Sequence, residues 1–473
     1  MKKKISIFLK IAVFILLIIV IGRKVQIIIS PKFDASQGAR SSFFEEEENS
    51  IDVLFLGTSN MFHTINPIVL YESTGITSFD FGSSAQSLNM TEMYLEEALK
   101  TQSPEIVCVE VLQCRRDANN DLYEPGMRWG FTYFPNTIDK YRRLYKQLHS
   151  VDAEYLSYVV PLFRYKDRWK ELNKKDFDGT ASGKYWKGCT VSRETVEVNY
   201  DSSYWEDSDW EIPESNIKSL DNIKHICEEN GIELILFKSP TPSLWREVYS
   251  QRVQEYADEN GLVFIDYNKK LDELGIDVKT DFKDAGHVNV RGSVKITRDF
   301  GNYLKNNYEL KDHRGGENNS WDRAEKEKMR RENNSQLSSL ADLDSFMTAL
   351  SDEDYTVICC TAGEDTWELT KKLERRYGVS SEYLVRCNGS NILFGNREED
   401  FAWHDTMDGF DCAFGYRSGT EDAAESVYIY VDGVDYTAVQ HGINIVVIDN
   451  QLGELVRAVG FDADNEYAKV TVK

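Results

Sequence analysis

The chain has 473 residues, 41% of them hydrophobic and 12% aromatic, with 79 acidic side chains against 55 basic ones. That length exceeds what one compact core holds and points to two or three domains, while the apolar content excludes a disordered chain. The formal charge of −24 excludes nucleic acid as the main partner, because phosphate backbones repel such a surface.

In chain order, MKKK is followed by ISIFLKIAVFILLIIVIG, long enough to cross a bilayer as a helix if Lys10 snorkels from its first turns. Lys2, Lys3 and Lys4 favour the cytoplasmic side for that end. RKVQIIISPKF follows without a small-x-small cleavage site, and the first cysteine is Cys108, too far away to take a lipid. Residues 1–30 are therefore expected to be a single-pass signal anchor in the cell membrane, with the bulk of the chain extracytoplasmic. A polar stalk spans 31–50.

From 51 to 308 strand-like runs alternate with helical patterns: IDVLFLG, ITSFDFG (76–82), EIVCVEVL (105–112), IELILFK (232–238) and LVFIDY (262–267). Near-continuous apolar strands alternating with helices predict an α/β fold with a doubly wound, mainly parallel sheet. Residues 114–215 interrupt the alternation with an aromatic and basic stretch too long for an ordinary loop. They are expected to be an insertion, either a lid or substrate wall or a packing decoration. The stretch 309–335 is charged, with no sustained apolar face, and reads as a linker, a solvated helix or disorder. A smaller α+β domain follows at 336–473. Residues 351–473 carry 24 acidic against 10 basic residues, so the acidity is concentrated there.

The eight cysteines show no CxxC pair and no metal-like spacing with histidine, so no metal and no cofactor are expected. A Cys387–Cys412 disulfide is compatible with an extracellular location.

The chemistry concentrates in three places. VLFLGTSN (53–60) runs a buried-looking strand into Gly57 and then Ser59, at the strand edge where open parallel sheets bind ligands. Ser59 there is either a nucleophile or the N-cap of the next helix. FDFGSSAQS carries Gly82. DVKTDFKDAGHVNVRG carries Asp284 and His287, three apart around Gly286; on a tight turn the carboxylate reaches the imidazole Nδ1 and leaves Nε2 facing outward. A serine nucleophile needs such a base, held in one tautomer by a third group. Asp281 competes with Asp284 for that role, and spacing prefers Asp284. His63, four residues after Ser59, is a second base or, on the simpler reading, a partly exposed structural residue.

Taken in this order, GTSN, FDFGSSAQS and DAGHVN resemble the SGNH (GDSL-type) hydrolase superfamily over about 51–308. The resemblance implies a flavodoxin-like sheet, Ser59 as nucleophile, His287 as base and Asp284 as its orienting partner. It also implies an oxyanion hole from the N–H groups of Ser59 and Gly82. Where the superfamily places an oxyanion-hole asparagine, this chain reads EVLQCRR, leaving Gln113 as the candidate third donor. That departure resembles a divergent, membrane-anchored branch that includes the teichoic-acid D-alanyl transfer protein and polysaccharide O-acetyltransferases. It implies an esterase or O-acyltransferase acting on an envelope glycan or polymer, with a membrane acyl-transfer partner. Arg115 and Arg116 then bind an anionic substrate or make surface ion pairs. The alternative is a catalytically degenerate scaffold that binds glycan. In the last domain, DYTVICCTAGEDTWELTKKLERRYG and HGINIVVIDNQLGELVRAVGFDA resemble, in swapped order, the two halves of the interleukin-like EMT inducer (PANDER) domain, which implies a glycan-binding accessory module.

Overall fold

The computed structural model describes residues 2–30, 42–117, 124–132, 134–135, 137–148, 155–172, 176–177, 186–198, 209–241, 243–316, 319–349, 355–362, 392–395, 401–407, 409–417, 426–440, 442–462 and 470–472. The chain divides into two compact units, Met1–Lys326 and Glu327–Lys473.

The first unit is built on five strands: β1 (Val53–Leu56), β2 (Ser78–Asp80), β3 (Ile106–Glu110), β4 (Glu233–Lys238) and β5 (Val263–Asp266). All pair in parallel, in the order β2-β1-β3-β4-β5. Alternate side chains feed two separate cores. Leu54, Leu56, Val107 and Val109 face helices Leu88–Ala98 and Glu214–Glu229 through Leu95, Leu220 and Ile223. Val53, Phe55, Cys108 and Phe237 face helices Pro67–Thr74 and Val290–Asn307 through Leu70, Ile296 and Phe300. Burial on both faces is why these strands read as unbroken apolar runs rather than alternating ones. The strand order reverses at β1, so the crevice for a ligand opens at the carboxyl ends of β1 and β3.

The described parts of 114–215 include core-packing helices and a segment bonded to Phe62 and Phe282. Helices Glu124–Thr132 and Ile138–Leu148 contribute Met127, Phe131 and Leu144 to the first core, which is packing decoration. Residues 189–198 lie beside the site outside regular secondary structure: Thr190 N donates to Phe62 O (2.7 Å) and Val196 N to Phe282 O (2.9 Å).

Within 309–335 the structure has helix Ser320–Ser339, one of the states left open for this stretch, yet its start is no solvated connector. Trp321 is buried in the first unit's core and its indole N–H donates to Ser78 O at 3.1 Å. One aromatic side chain outweighs the surrounding charges because burying it removes so much apolar area from water.

Among the described residues no helix is long and apolar enough to cross a membrane. The anchor expectation rests on the run 5–22 of helix Lys2–Ile29, most of whose side chains lie outside the described set.

The second unit carries strands β8 (Tyr355–Ala362) to β16 (Val470–Val472), after the β6 and β7 hairpin strands of the first unit at Phe282–Asp284 and His287–Val288. Strands β8, β9 (Ile392–Gly395), β14 (Gly442–Asp449), β15 (Glu454–Asp462) and β16 form a sheet ordered β16-β15-β14-β8-β9, antiparallel except for β8 with β9. β10 (Phe401–Met407), β11 (Phe410–Arg417), β12 (Ser426–Val431) and β13 (Val434–Asp435) form a separate antiparallel sheet. Val357 and Cys359 pack on helix Leu343–Ala349 through Phe346, while Ile358 and Cys360 face Phe414 and Ile429 of the second sheet. The segment WELTKKLERRYG (367–378) and Cys387 lie outside the described residues.

Asp80, at the end of β2, is fully buried and neither carboxylate oxygen has a hydrogen-bond partner. Burial pushes its pKa well above the usual carboxylate range. The unfolded chain ionises near pH 4 and the folded one resists, so Asp80 favours folding below that pH and progressively opposes it as pH rises towards its elevated folded value. Asp80→Asn keeps the shape without the ionisation. It is expected to raise the thermal midpoint at pH 8 and to change it little at pH 4. Identical gains in thermal scans at the two pH values would count against a neutral Asp80.

Candidate active site

β1 ends at Gly57, which has a φ of 145°, and a Cβ there would lie 2.6 Å from Glu110 Cβ. Only glycine allows both the turn and that approach. The next residue, Thr58, is the helix cap: its Oγ1 accepts from Asn60 N at 3.1 Å. Ser59 is therefore the first residue of helix Ser59–Thr64, not its cap, and its hydroxyl is free for other work.

That hydroxyl meets His287. β6 and β7 form a hairpin whose two-residue turn is Ala285–Gly286. Ser59 Oγ donates to His287 Nε2 at 2.7 Å, and His287 Nδ1–H donates to Asp284, 2.8 Å from Oδ1 and 3.1 Å from Oδ2. The tautomer follows from these partners. Gly286 N also donates to Asp284 Oδ1 at 2.8 Å. Burial works against the Asp284 charge, but the Gly286 bond and the His287 imidazole outweigh it and its pKa lies below the usual value. Burial lowers the pKa of His287, although Asp284 pulls it upward. The base is thus neutral at physiological pH, as a proton acceptor must be.

Asp281 plays no part here. It is buried elsewhere, paired with Lys295 Nζ at 2.6 Å and accepting from Asp277 N at 3.0 Å. His63 is buried beside the site, its ring centroid 4.8 Å from that of His287. Its Nδ1–H donates to Thr190 O (3.0 Å) and its Nε2 accepts from Lys283 Nζ (3.2 Å). Burial, then the neighbouring His287 and Lys283, brings its pKa down to about 3. A permanently neutral ring with both nitrogens engaged is a structural residue, though more deeply buried than expected.

Gly82 follows β2, where a Cβ would lie 2.3 Å from Gly57 O. The two glycine turns therefore touch, which brings the backbone after β2 against the nucleophile's turn. Gln113 lies in the single 3-10 turn Leu112–Arg115 after β3. Asn216 fixes that turn, its Nδ2 donating to Gln113 O (3.2 Å) and Cys114 O (3.0 Å). Arg115 is half-buried, with its pKa lowered by burial and by Arg116, and its Nε has no hydrogen-bond partner; Arg116 is exposed. Among the described residues no group of three His, Cys, Asp or Glu side chains is arranged to hold a metal ion.

Several residues here escape pattern reading. Thr58 caps the helix, Asn60 Nδ2 donates to Gly286 O in the hairpin turn, and the buried Glu110 and Lys238 pair lies beneath. The last two do carry a signal: each is a lone charge in an otherwise apolar run, VCVEVL and LILFK.

No protein-family model and no curated protein matches the chain, so neither family resemblance gains support from a sequence match. Among the solved structures similar to it are two of low identity. One, described as a "putative acylhydrolase (BF3764) from Bacteroides fragilis NCTC 9343", is 12% identical with a TM-score of 0.29, covering 57% of this chain and 94% of that one. The other, described as "BT4096 a gut microbial diltiazem-metabolizing enzyme", is 16% identical with a TM-score of 0.21, covering 54% of this chain and 48% of that one. At TM-scores this low neither likeness carries an argument about this chain.

Proposed function

We propose that the first unit is a serine esterase or O-acyltransferase of SGNH type. The observation that carries the reading is the line of hydrogen bonds from Ser59 Oγ to His287 Nε2 and from His287 Nδ1 to Asp284. Ser59 Oγ bonds to an acyl carbon as its proton passes to His287 Nε2. The oxyanion is met by the N–H groups of Ser59 and Gly82, with Gln113 as a third donor. As the tetrahedral intermediate collapses, the acyl–oxygen bond breaks and the leaving alcohol takes the proton from His287. A water or sugar hydroxyl then gives its proton to His287 and bonds to the acyl carbon, and as the acyl–Ser59 bond breaks Ser59 Oγ takes that proton back from His287.

The substrate in this proposal is an envelope glycan or related polymer, bound in part by Arg115 and Arg116. The protein is held at the membrane by residues 1–30, and a membrane acyl-transfer partner supplies the acyl group where transfer is the reaction. Two observations support a membrane location. Arg168 Nη1 donates to Ile28 O, Ile29 O and Ser30 O at 3.0–3.4 Å, gripping the end of helix Lys2–Ile29. Nearby in sequence, Leu156, Phe163, Trp169 and Phe177 are each more than half exposed, an amphipathic mix with Arg164, Lys166 and Lys170 that suits a headgroup region. The second unit, in this proposal, binds glycan.

A non-catalytic, glycan-binding scaffold is the second reading, favoured by glutamine where the superfamily pattern has asparagine. Membranes carrying the full chain, treated with a fluorophosphonate probe and then washed with alkaline carbonate, separate the two. An adduct on Ser59 in the washed pellet is expected. Intact protein with no adduct favours the scaffold, and labelled protein released into the wash removes the anchor.

A further inference from the structure

Beneath the nucleophile's turn lies an ion pair that the acyl-transfer chemistry does not use. Glu110 ends β3 and Lys238 ends β4; Nζ stands 2.9 Å from Oε1, and neither side chain is exposed. Buried pairs are rarely the most stable filling for a core, since apolar residues of similar volume often do as well. Their contacts suggest what they do instead. Glu110 Oε2 is 3.1 Å from Thr58 Oγ1, the cap of the helix that starts at Ser59. Gly57 packs directly on Glu110 Cβ. Lys238 donates to Ser239 O (2.7 Å), Ser239 Oγ donates to Asn60 O (3.1 Å), and Asn60 Nδ2 donates to Gly286 O between Asp284 and His287.

We propose that Glu110, held by Lys238, is a positioning residue that fixes the Gly57–Thr58 turn from below and ties it, through Ser239 and Asn60, to the hairpin bearing His287. The inference rests on the reading of Ser59 as nucleophile. It adds an electrostatic consequence. His287 is faced by Asp284 and Lys283 from its own hairpin, by His63 from helix Ser59–Thr64 and by Glu110 from β3. The negative charge on Glu110 raises the pKa of His287, against burial and Lys283.

The test uses the full chain, a small acetyl ester and the fluorophosphonate probe. Thr58→Val, which removes the hydroxyl at near-constant volume, is expected to lower kcat and the probe rate by about 10–100-fold, the scale of a misplaced reacting group. KM should stay within about twofold, since ground-state binding is untouched. Thr58→Ser should restore most of the rate. The paired replacement Glu110→Gln with Lys238→Met avoids leaving one buried charge alone. It should also lower kcat and should shift the acid limb of kcat/KM to lower pH, whereas Thr58→Val leaves that limb in place. Wild-type kcat in Thr58→Val overturns the proposal, as does Thr58→Ser no faster than Thr58→Val. So does a paired variant whose kcat falls only with its folded fraction while the limb stays put. A wild-type chain that does not react with the probe removes the nucleophile reading itself, and this inference with it.

Discussion

Ser59→Ala is expected to lower kcat on a small acetyl ester by about 10⁴–10⁶-fold, the scale seen when a serine nucleophile is removed elsewhere. Its thermal midpoint should barely move. The two halves of this expectation come from different observations. The rate loss follows from the hydrogen bond to His287 Nε2, which is poised to take the Ser59 proton. The unchanged stability follows from Thr58, which does the capping that Ser59 would otherwise do. Were Ser59 the cap, alanine would destabilise the helix by about 1 kcal/mol. A variant that turns over as fast as wild type would end the nucleophile assignment. One that is inactive only because it melts early would return Ser59 to a structural role.

The legible parts of this chain are those where a local pattern forces a local geometry. A run such as VLFL, buried on both faces, has no choice but to sit inside a parallel sheet, and all four residues are buried. D-A-G-H on a two-residue turn puts a carboxylate within reach of Nδ1, and the hairpin has that geometry. The choice between Asp281 and Asp284 was readable from spacing alone; Lys295, which holds Asp281 away, was not. What the pattern hid are contacts made across long separations. The contact between Ser59 and His287 spans 228 residues, and chain order suggested it only because three short blocks fell in a familiar sequence. Nothing local says that Thr190, inside an aperiodic insertion, accepts from His63 Nδ1, or that Asn216 pins the turn of Gln113.

Composition misled where one residue mattered more than its neighbours. The charged stretch 309–335 averages to a solvated segment, and Trp321 alone draws its start into a core. The reverse holds for Glu110 and Lys238. Each is a buried charge at the end of an apolar run, and a buried charge at such a position calls for a partner of opposite sign on an adjacent strand. Register supplies it: Glu110 stands opposite Phe237 on β4, one residue from Lys238.

Asp284→Asn is the substitution that separates an oriented base from a merely adjacent one. The amide keeps the size of the carboxylate but can donate as well as accept, so His287 is no longer held with its proton on Nδ1. Loss of the orienting carboxylate in comparable triads lowers kcat by about 10⁴-fold, and a fall of that order is expected here. Asp281→Asn, which disturbs the pair with Lys295 and the bonds from Asp277 N and Thr280 Oγ1, should leave kcat near wild type even though it lowers the melting point. The pH profile adds a second readout. Burial already holds the His287 pKa below its usual value and Asp284 partly offsets this. The acid limb of wild-type kcat/KM should therefore lie below pH 6.5, the ordinary histidine value. Removing the Asp284 charge withdraws the offset, so the residual activity of Asp284→Asn should persist to still lower pH. A limb that moves upward, or an Asp281→Asn variant as slow as Asp284→Asn, would mean that the base takes its charge balance from a different partner.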